Sequence, residues 1–126
     1  MNWLILISGI VALSAAVGHL TMGRKMFLEP MLAASFDDVP KKVMHAVFHY
    51  VSVYQILSSV ALLSIGAGFS FDLNSTLLIY FIALNYSLFA LSGIIIALTS
   101  GIPNSLMKMF QWVFWVVIAV LAWLGA

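Results

Sequence analysis

Three histidines are the residues of this chain whose type and spacing could do chemistry. His19 lies near the end of one long apolar stretch, and His45 and His49 lie at the beginning of the next. Residues four apart project from one face of a helix, so His45 and His49 form a pair with the spacing H-x-x-x-H. This spacing suits two imidazoles that share a metal ion. Because consecutive membrane helices run in opposite directions, we expect all three histidines at a similar depth.

Familiar catalytic patterns are missing around these histidines. In zinc peptidases of the H-E-x-x-H type a glutamate follows the first histidine as general base, and Ala46 takes that place here. The chain has no cysteine, which excludes disulfides, thiolate metal sites and cysteine nucleophiles. It also has no Gly-rich phosphate loop and no Ser/His/Asp grouping. No catalytic residue can be assigned, and whether the chain is an enzyme stays open.

Three interpretations of the histidines are open. In the first, they are neutral interfacial residues that bond to serine, glutamine or loop carbonyls and bind nothing. In the second, His19 and His49 are the axial ligands of a haem b between helices one and two. Haem in a helical bundle needs axial ligands on facing helices and small residues beside the ring. Nearby cations would pair with its propionates: Arg24, Lys25 and Lys42.

In the third interpretation, His19, His45 and His49 together hold a zinc, copper or iron ion, since imidazole suits all three metals. Acids from the segment between the first two apolar stretches could complete the site: Glu29, Asp37 or Asp38. These acids also have an ordinary explanation. Asp37 and Asp38 would cap a helix, and Glu29 would be solvated among lipid headgroups.

The composition indicates which solvent surrounds these residues. The chain has 126 residues, of which 64% are hydrophobic and 7% charged, and its mean hydropathy is +1.16. A soluble domain carries about a quarter charged residues, and a small domain leaves much of its surface exposed. The chain is therefore predicted to lie in a bilayer. Its net charge of +1 and its lack of basic runs argue against nucleic-acid binding.

Four apolar stretches are long enough to cross a membrane, because a bilayer core of ~30 Å needs about 20 residues of helix. The break Gly101–Ser105 divides a long uncharged run into two of them. The sequence therefore predicts an all-α fold, a single four-helix transmembrane bundle, with spans near 3–22, 43–66, 76–99 and 106–125.

The connections between these spans have some structure of their own. In the main loop, 23–42, we expect a short interfacial helix over 29–36 with Pro30 in its first turn. The second helix is then expected to begin near Val39. Asp72 or Asn74 would cap the third helix.

Positive charge sets the expected orientation. Every Lys and Arg lies at one side: Arg24, Lys25, Lys41, Lys42 and Lys108. The positive-inside rule places this side in the cytoplasm. Loops 23–42 and 100–105 would then be cytoplasmic and both termini outside, in an inner membrane of the bacterial type.

Small and polar residues form stripes on the first two helices. One stripe contains Ser8, Ala12, Ala15 and His19, and the other contains His45, His49, Ser52, Ile56 and Ser59, with Gln55 adjacent. Small residues let membrane helices approach closely, so the two stripes are expected to face each other and to bring His19 towards His49. In the third helix, Asn85 lies in mid-membrane and needs a partner across the bundle or in another subunit.

The first half of the chain resembles an uncharacterised group of small bacterial four-span membrane proteins. The matching residues are Gly18-His19, Gly23, Pro30-Met31-Leu32, and His49 followed by Ser52. Members of the group carry Gly-His near the end of helix one and Trp-His at the start of helix two, where this chain has Phe48-His49. The group has no established activity, and the resemblance draws attention to His19 and His49 as a pair.

Three functions fit this pattern. The first is a haem or metal site between helices one and two near the cytoplasmic face. The second is a non-enzymatic accessory subunit, or helix-packing module, of a larger membrane complex. The third is a small transporter that works as an oligomer. A proton-coupled exporter of the usual kind is disfavoured, because no Asp or Glu lies within the spans.

Overall fold

The computed structural model describes residues 1–69 and 74–126, and in this part the chain is helical with short connections and no strand. The prediction of an all-α fold is confirmed for the described residues. Asp72, one of the two expected caps, lies outside them. The helical elements are α1 Trp3–Gly18, a π-helical segment His19–Leu28, α2 Glu29–Ala33, α3 Asp38–Ala67, α4 Ser75–Thr99, α5 Ser105–Lys108 and α6 Gln111–Gly125.

The first helix is longer than its apolar stretch. The π-helical segment continues α1 without a break and leads into α2, so the chain is helical from Trp3 to Ala33. At its end the Glu29 backbone N–H donates to the carbonyl of Arg24, five residues back. A separate short helix was expected over 29–36, whereas α2 ends at Ala33 and is the last turn of the first helix. His19 is the first residue of the wider turns.

The other long helices begin and end at local signals. Helix α3 begins at Asp38, with Asp37 at the N-cap, and ends at Ala67. The next residue, Gly68, caps it with a φ of 98°, a conformation that favours glycine. Helix α4 is capped by Asn74, whose side chain accepts a hydrogen bond of 3.2 Å from the Leu77 N–H. The sequence therefore predicted both starts to within a residue or two.

Three helical stretches have the length and apolar composition needed to cross a membrane: Trp3–Ala33, Asp38–Ala67 and Ser75–Thr99. The fourth apolar helix, α6, is shorter, with 15 residues. It follows α5 after two residues, Met109 and Phe110.

The helices pack in the order α3, α1, α6, α4. Helix α1 has extensive contacts with α3 and α6, and α6 has extensive contacts with α4, whereas α3 and α4 touch at few positions. The buried core is made of aliphatic residues and alanines around Tyr86. The order leaves one weakly packed edge, between α3 and α4.

Glycine permits the closest helix contact. A Cβ added at Gly66 of α3 would lie 2.5 Å from the Leu6 backbone nitrogen, and one added at Gly9 of α1 would lie 2.8 Å from the Leu63 nitrogen. Real Cβ atoms do not approach backbone so closely, so only glycine fits at these positions. The two backbones are in direct contact at the end of α1 that carries the N-terminus.

Asn2 joins three helices at this same end. Its backbone N–H donates to the Gly66 carbonyl at 2.9 Å, and its side-chain nitrogen donates to the Gly125 carbonyl at 2.6 Å. Its side-chain oxygen accepts from the Ile5 N–H and so caps α1. The N-terminus, the end of α3 and the end of α6 are therefore held together.

Candidate functional site

His19 is placed against the backbone of α3. Its Nε2 lies 3.0 Å from the carbonyl oxygen of Phe48, and its ring stacks on the Phe48 ring with 3.9 Å between centroids. The same carbonyl accepts a hydrogen bond from the Ser52 hydroxyl. The nearest partner of His19 on α3 is thus Phe48, the residue before His49.

This hydrogen bond fixes the tautomer of His19. A carbonyl oxygen only accepts, so the Nε2 of His19 must carry the proton and donate. In the neutral ring, Nδ1 then keeps its lone pair. Nδ1 lies 3.7 Å from the Cβ position that a side chain at Gly23 would occupy, in a region kept free of side chains by that glycine. His19 therefore offers an acceptor or a ligand atom through Nδ1.

His45 and His49 meet each other. Their Nε2 atoms are 3.3 Å apart, and their ring centroids are 5.1 Å apart. His45 is half-buried and His49 is exposed. In the absence of a metal, one nitrogen of the pair donates to the other, so the helical spacing of four brings the two imidazoles together as expected from the sequence.

The acids of the main loop do not join the histidines. Among the described residues, no group of three or more His, Cys, Asp and Glu side chains has a geometry that could hold a metal ion. Glu29 pairs with Arg24 at 3.3 Å, and Asp37 occupies the N-cap of α3 without a side-chain bond. The histidines are thus divided between His19, on Phe48, and the pair of His45 and His49.

A cavity of about 360 Å³ lies next to His19. Its walls are mostly aromatic and come from four helical stretches, with three polar side chains among them. The lining residues are His19, Phe27, Phe48, Val51, Phe89, Ser92, Gln111 and Trp115. Ligand pockets in proteins are typically apolar cavities of about this size with a few polar groups that fix orientation.

A second, smaller cavity of about 100 Å³ also has His19 in its wall. The two share His19, Phe27, Gln111 and Trp115 as lining residues. Gly18 and Gly23 line the smaller cavity, which is where the Nδ1 side of His19 is open. We call the two together the aromatic cavity.

Gln55 is the most unusual polar residue of the interior. It is 0% exposed, and neither its amide nitrogen nor its amide oxygen has a hydrogen-bond partner among the described residues. The buried hydroxyl of Tyr54 beside it also has none. Gln55 lies four residues after Val51, so it is on the same face of α3, about 6 Å deeper than this wall residue of the aromatic cavity.

Several other polar residues of the spans have hydrogen-bond partners within the protein. Ser58 and the Tyr86 hydroxyl bond at 2.7 Å and join α3 to α4. The Ser8 hydroxyl donates to the Ile118 carbonyl and joins α1 to α6. The Asn85 amide donates to the Phe81 carbonyl of its own helix, whereas the sequence suggested a partner across the bundle or in another subunit. Gln55 differs from these residues because its side-chain amide, like the Tyr54 hydroxyl beside it, has no partner among the described residues.

Comparison with known proteins finds no match to any family model, curated protein or solved structure.

Sequence reasoning found His19 but missed the walls around it. Phe27, Phe48, Phe89 and Trp115 were not singled out as walls of a cavity, because aromatic side chains at helical spacing are common in any membrane core. The useful signal was the pair Gly18 and Gly23, which line the smaller cavity together with His19.

Replacing Gln55 by Leu is expected to stabilise the purified protein and to raise its unfolding temperature by several degrees. Leucine has a similar volume and removes two buried polar atoms whose lack of partners costs about 1–3 kcal/mol. The change would be followed by circular dichroism during heating in one detergent. Ser58→Ala is the matched control on the same helix, and it should lower the unfolding temperature because Tyr86 loses its partner. A Gln55→Leu protein less stable than the wild type would show that the amide is satisfied.

Proposed function

We propose that this chain is a four-span integral membrane protein that binds a lipid-soluble small molecule in the aromatic cavity. The observation that carries the proposal is the larger part of this cavity, about 360 Å³ with mostly aromatic walls and His19, Ser92 and Gln111 as its polar groups. Pre-formed apolar cavities with a few convergent polar groups are the usual ligand sites of proteins. In a membrane protein that binds no ligand, we expect side chains to fill such a space, because protein interiors are close-packed.

The state of Gln55 supports the proposal. A buried amide without partners is costly, and the cost is higher in hydrocarbon, where no water compensates. Such groups are rare in proteins, and a bound water, an ion, strain or a functional role accounts for them. Gln55 lies one turn below the cavity wall, where a ligand or ordered water reaching in from the cavity would satisfy it.

The proposal includes the topology expected from the sequence, with four spans, both termini outside and loops 23–42 and 100–105 in the cytoplasm. Helix α6 has 15 residues, about 22 Å at 1.5 Å per residue, and α5 precedes it by two residues, so we take the segment Ser105 to Gly125 as a whole as the fourth crossing of a ~30 Å bilayer core. The bond between Asn2 and Gly125 puts the two ends of the chain on one side. The cations lie at the opposite end, which the positive-inside rule assigns to the cytoplasm.

A second candidate function is transition-metal binding at His45 and His49, and one distance favours it. Two imidazoles bound to one tetrahedral metal at 2.0–2.1 Å have nitrogens ~3.3 Å apart, and the two Nε2 atoms are 3.3 Å apart. Zinc, copper or iron would fit, with water or a headgroup as further ligands. His19 would join this metal, or share a haem with His49, only through Nδ1, because its Nε2 donates to Phe48.

The topology is tested by cysteine labelling, since the chain has no natural cysteine. Ser35→Cys in the main loop and Ala126→Cys at the end of the chain are both exposed positions. In intact spheroplasts, a membrane-impermeant maleimide should label Ala126→Cys at once and Ser35→Cys only after permeabilisation. Labelling of both, or the reverse order, would contradict the proposed orientation.

The cavity is tested with 1-aminoanthracene, a fluorescent apolar probe, on protein in nanodiscs. Energy transfer from tryptophan to the probe should be saturable in the wild type. Ser92→Phe places a ring at the cavity wall and should weaken binding at least 10-fold. Leu91→Phe, at a position that is 54% exposed on the same helix, should bind like the wild type. If all three proteins resemble empty nanodiscs, the cavity binds no ligand of this kind.

The metal candidate is tested by metal analysis and by titration with Zn²⁺ in detergent. The wild type should bind about one ion per chain, and His45→Ala or His49→Ala should weaken binding at least 10-fold. An equal loss in His19→Ala would indicate the three-histidine site. A Soret band lost in both His19→Ala and His49→Ala would establish the bis-histidine haem instead. Binding that none of the three substitutions changes would exclude all of these sites.

A further inference from the structure

The chemistry of the aromatic cavity is specific enough to indicate the class of its ligand. This inference rests on the proposed function and adds three observations: which hydrogen-bonding group His19 presents, which surfaces surround it and where the cavity opens.

The polar group at the centre of the cavity is an acceptor. The protonated Nε2 of His19 donates a hydrogen bond to the Phe48 carbonyl at 3.0 Å. In the neutral ring, Nδ1 therefore carries the lone pair. Gly18 and Gly23 line the space on this side of the ring. A ligand that bonds there must supply a donor, such as a hydroxyl group.

The surfaces around this acceptor favour a flat ring. Phe27 and Trp115 line both parts of the cavity, and Phe89 lines the larger part. The Phe48 ring already stacks on His19 with 19° between the ring planes. Aromatic pairs prefer stacked or edge-on contacts, so a planar aromatic ring between these walls gains contacts that a branched aliphatic group does not.

The cavity opens between α3 and α4. In the middle of these helices Ser58 bonds to Tyr86, and the Tyr54 and Phe89 rings are in contact with 5.4 Å between centroids. Towards the histidine end the walls are Val51, which is half-buried, and Ser92, which is exposed. Ser92 lies seven residues before the end of α4, about 10 Å along the helix.

The opening therefore faces the hydrocarbon layer. A molecule that uses it must partition into lipid before it binds. The volume suits a drug-sized molecule and is small for a lipid with two acyl chains.

We infer that the ligand is a hydroxylated aromatic ring on an apolar tail, which enters from the bilayer between α3 and α4 and donates its hydroxyl hydrogen to Nδ1 of His19.

The test compares 4-nonylphenol with 4-nonylanisole, which differ only by a methyl group on the oxygen and hence by the donor. Each competes with 1-aminoanthracene on protein in nanodiscs, and the measured quantity is the ratio of their inhibitory concentrations. In the wild type the phenol should compete at a concentration at least 10-fold lower than the anisole.

His19→Phe removes the acceptor and keeps a ring that can stack on Phe48, so the ratio should fall to about 1. Gly23→Ala is a second variant, with added Cβ contacts of 3.7–3.9 Å that the fold tolerates. Its methyl group lies beside Nδ1 and should reduce the preference for the phenol over the anisole several-fold. Ser92→Phe should weaken phenol and anisole alike, because it narrows the opening.

The outcomes distinguish an error in the ligand class from an error in the proposed function. A wild-type ratio near 1 with saturable 1-aminoanthracene binding would overturn the ligand class and leave the proposed cavity function in place. A high ratio that both His19→Phe and Gly23→Ala retain would overturn the role of Nδ1. No saturable binding of 1-aminoanthracene would overturn the proposed function itself.

Discussion

The close contact between α1 and α3 is the constraint on which the rest of the structure depends. Gly9 and Gly66 bring the two backbones together where even a methyl group would not fit. Asn2 then holds the ends of α3 and α6 at the same place. Helices α3 and α4 touch at few positions, and both contribute walls to the aromatic cavity beside His19.

The second requirement is that polar groups inside hydrocarbon find partners within the protein. Most serines and threonines of the spans meet it by donating to a carbonyl of their own helix, as Ser14, Thr21 and Thr99 do. Such local bonds need no particular packing and are compatible with any helix arrangement. Ser8 and Ser58 bond between helices and so fix specific pairs. Against this background the side-chain amide of Gln55 is an exception, because it is fully buried and has no partner among the described residues.

Much of the helical arrangement followed from the sequence, because apolar length and helix breaks are local signals. The expected span 76–99 is nearly the whole of α4, and Asn74 caps this helix as its position suggested. The first helix runs eleven residues beyond the expected Met22, since Arg24 and Lys25 are good helix formers and charge alone does not end a helix. The positive charges marked the end of the apolar stretch and not the end of the helix.

The details of the site could be predicted only in part. The pair of His45 and His49 depends on spacing within one helix, which a sequence displays directly. The partner of His19 depends on the rotation of one helix relative to another, where each residue turns the helix by about 100°. A shift of one position along α3, from the expected His49 to the observed Phe48, therefore gives His19 a different partner. The π-helical turns that begin at His19 change this rotation further, and the residue pattern did not predict them.

The bond between Asn2 and Gly125 also has a consequence for how the protein is made. These residues are 123 positions apart, so Asn2 enters the membrane long before its partner is synthesised. Until then its side-chain nitrogen has to be solvated by water or headgroups at the membrane surface. The contact between α1 and α6 can therefore form only after the chain has been synthesised across the 123 positions that separate these two residues.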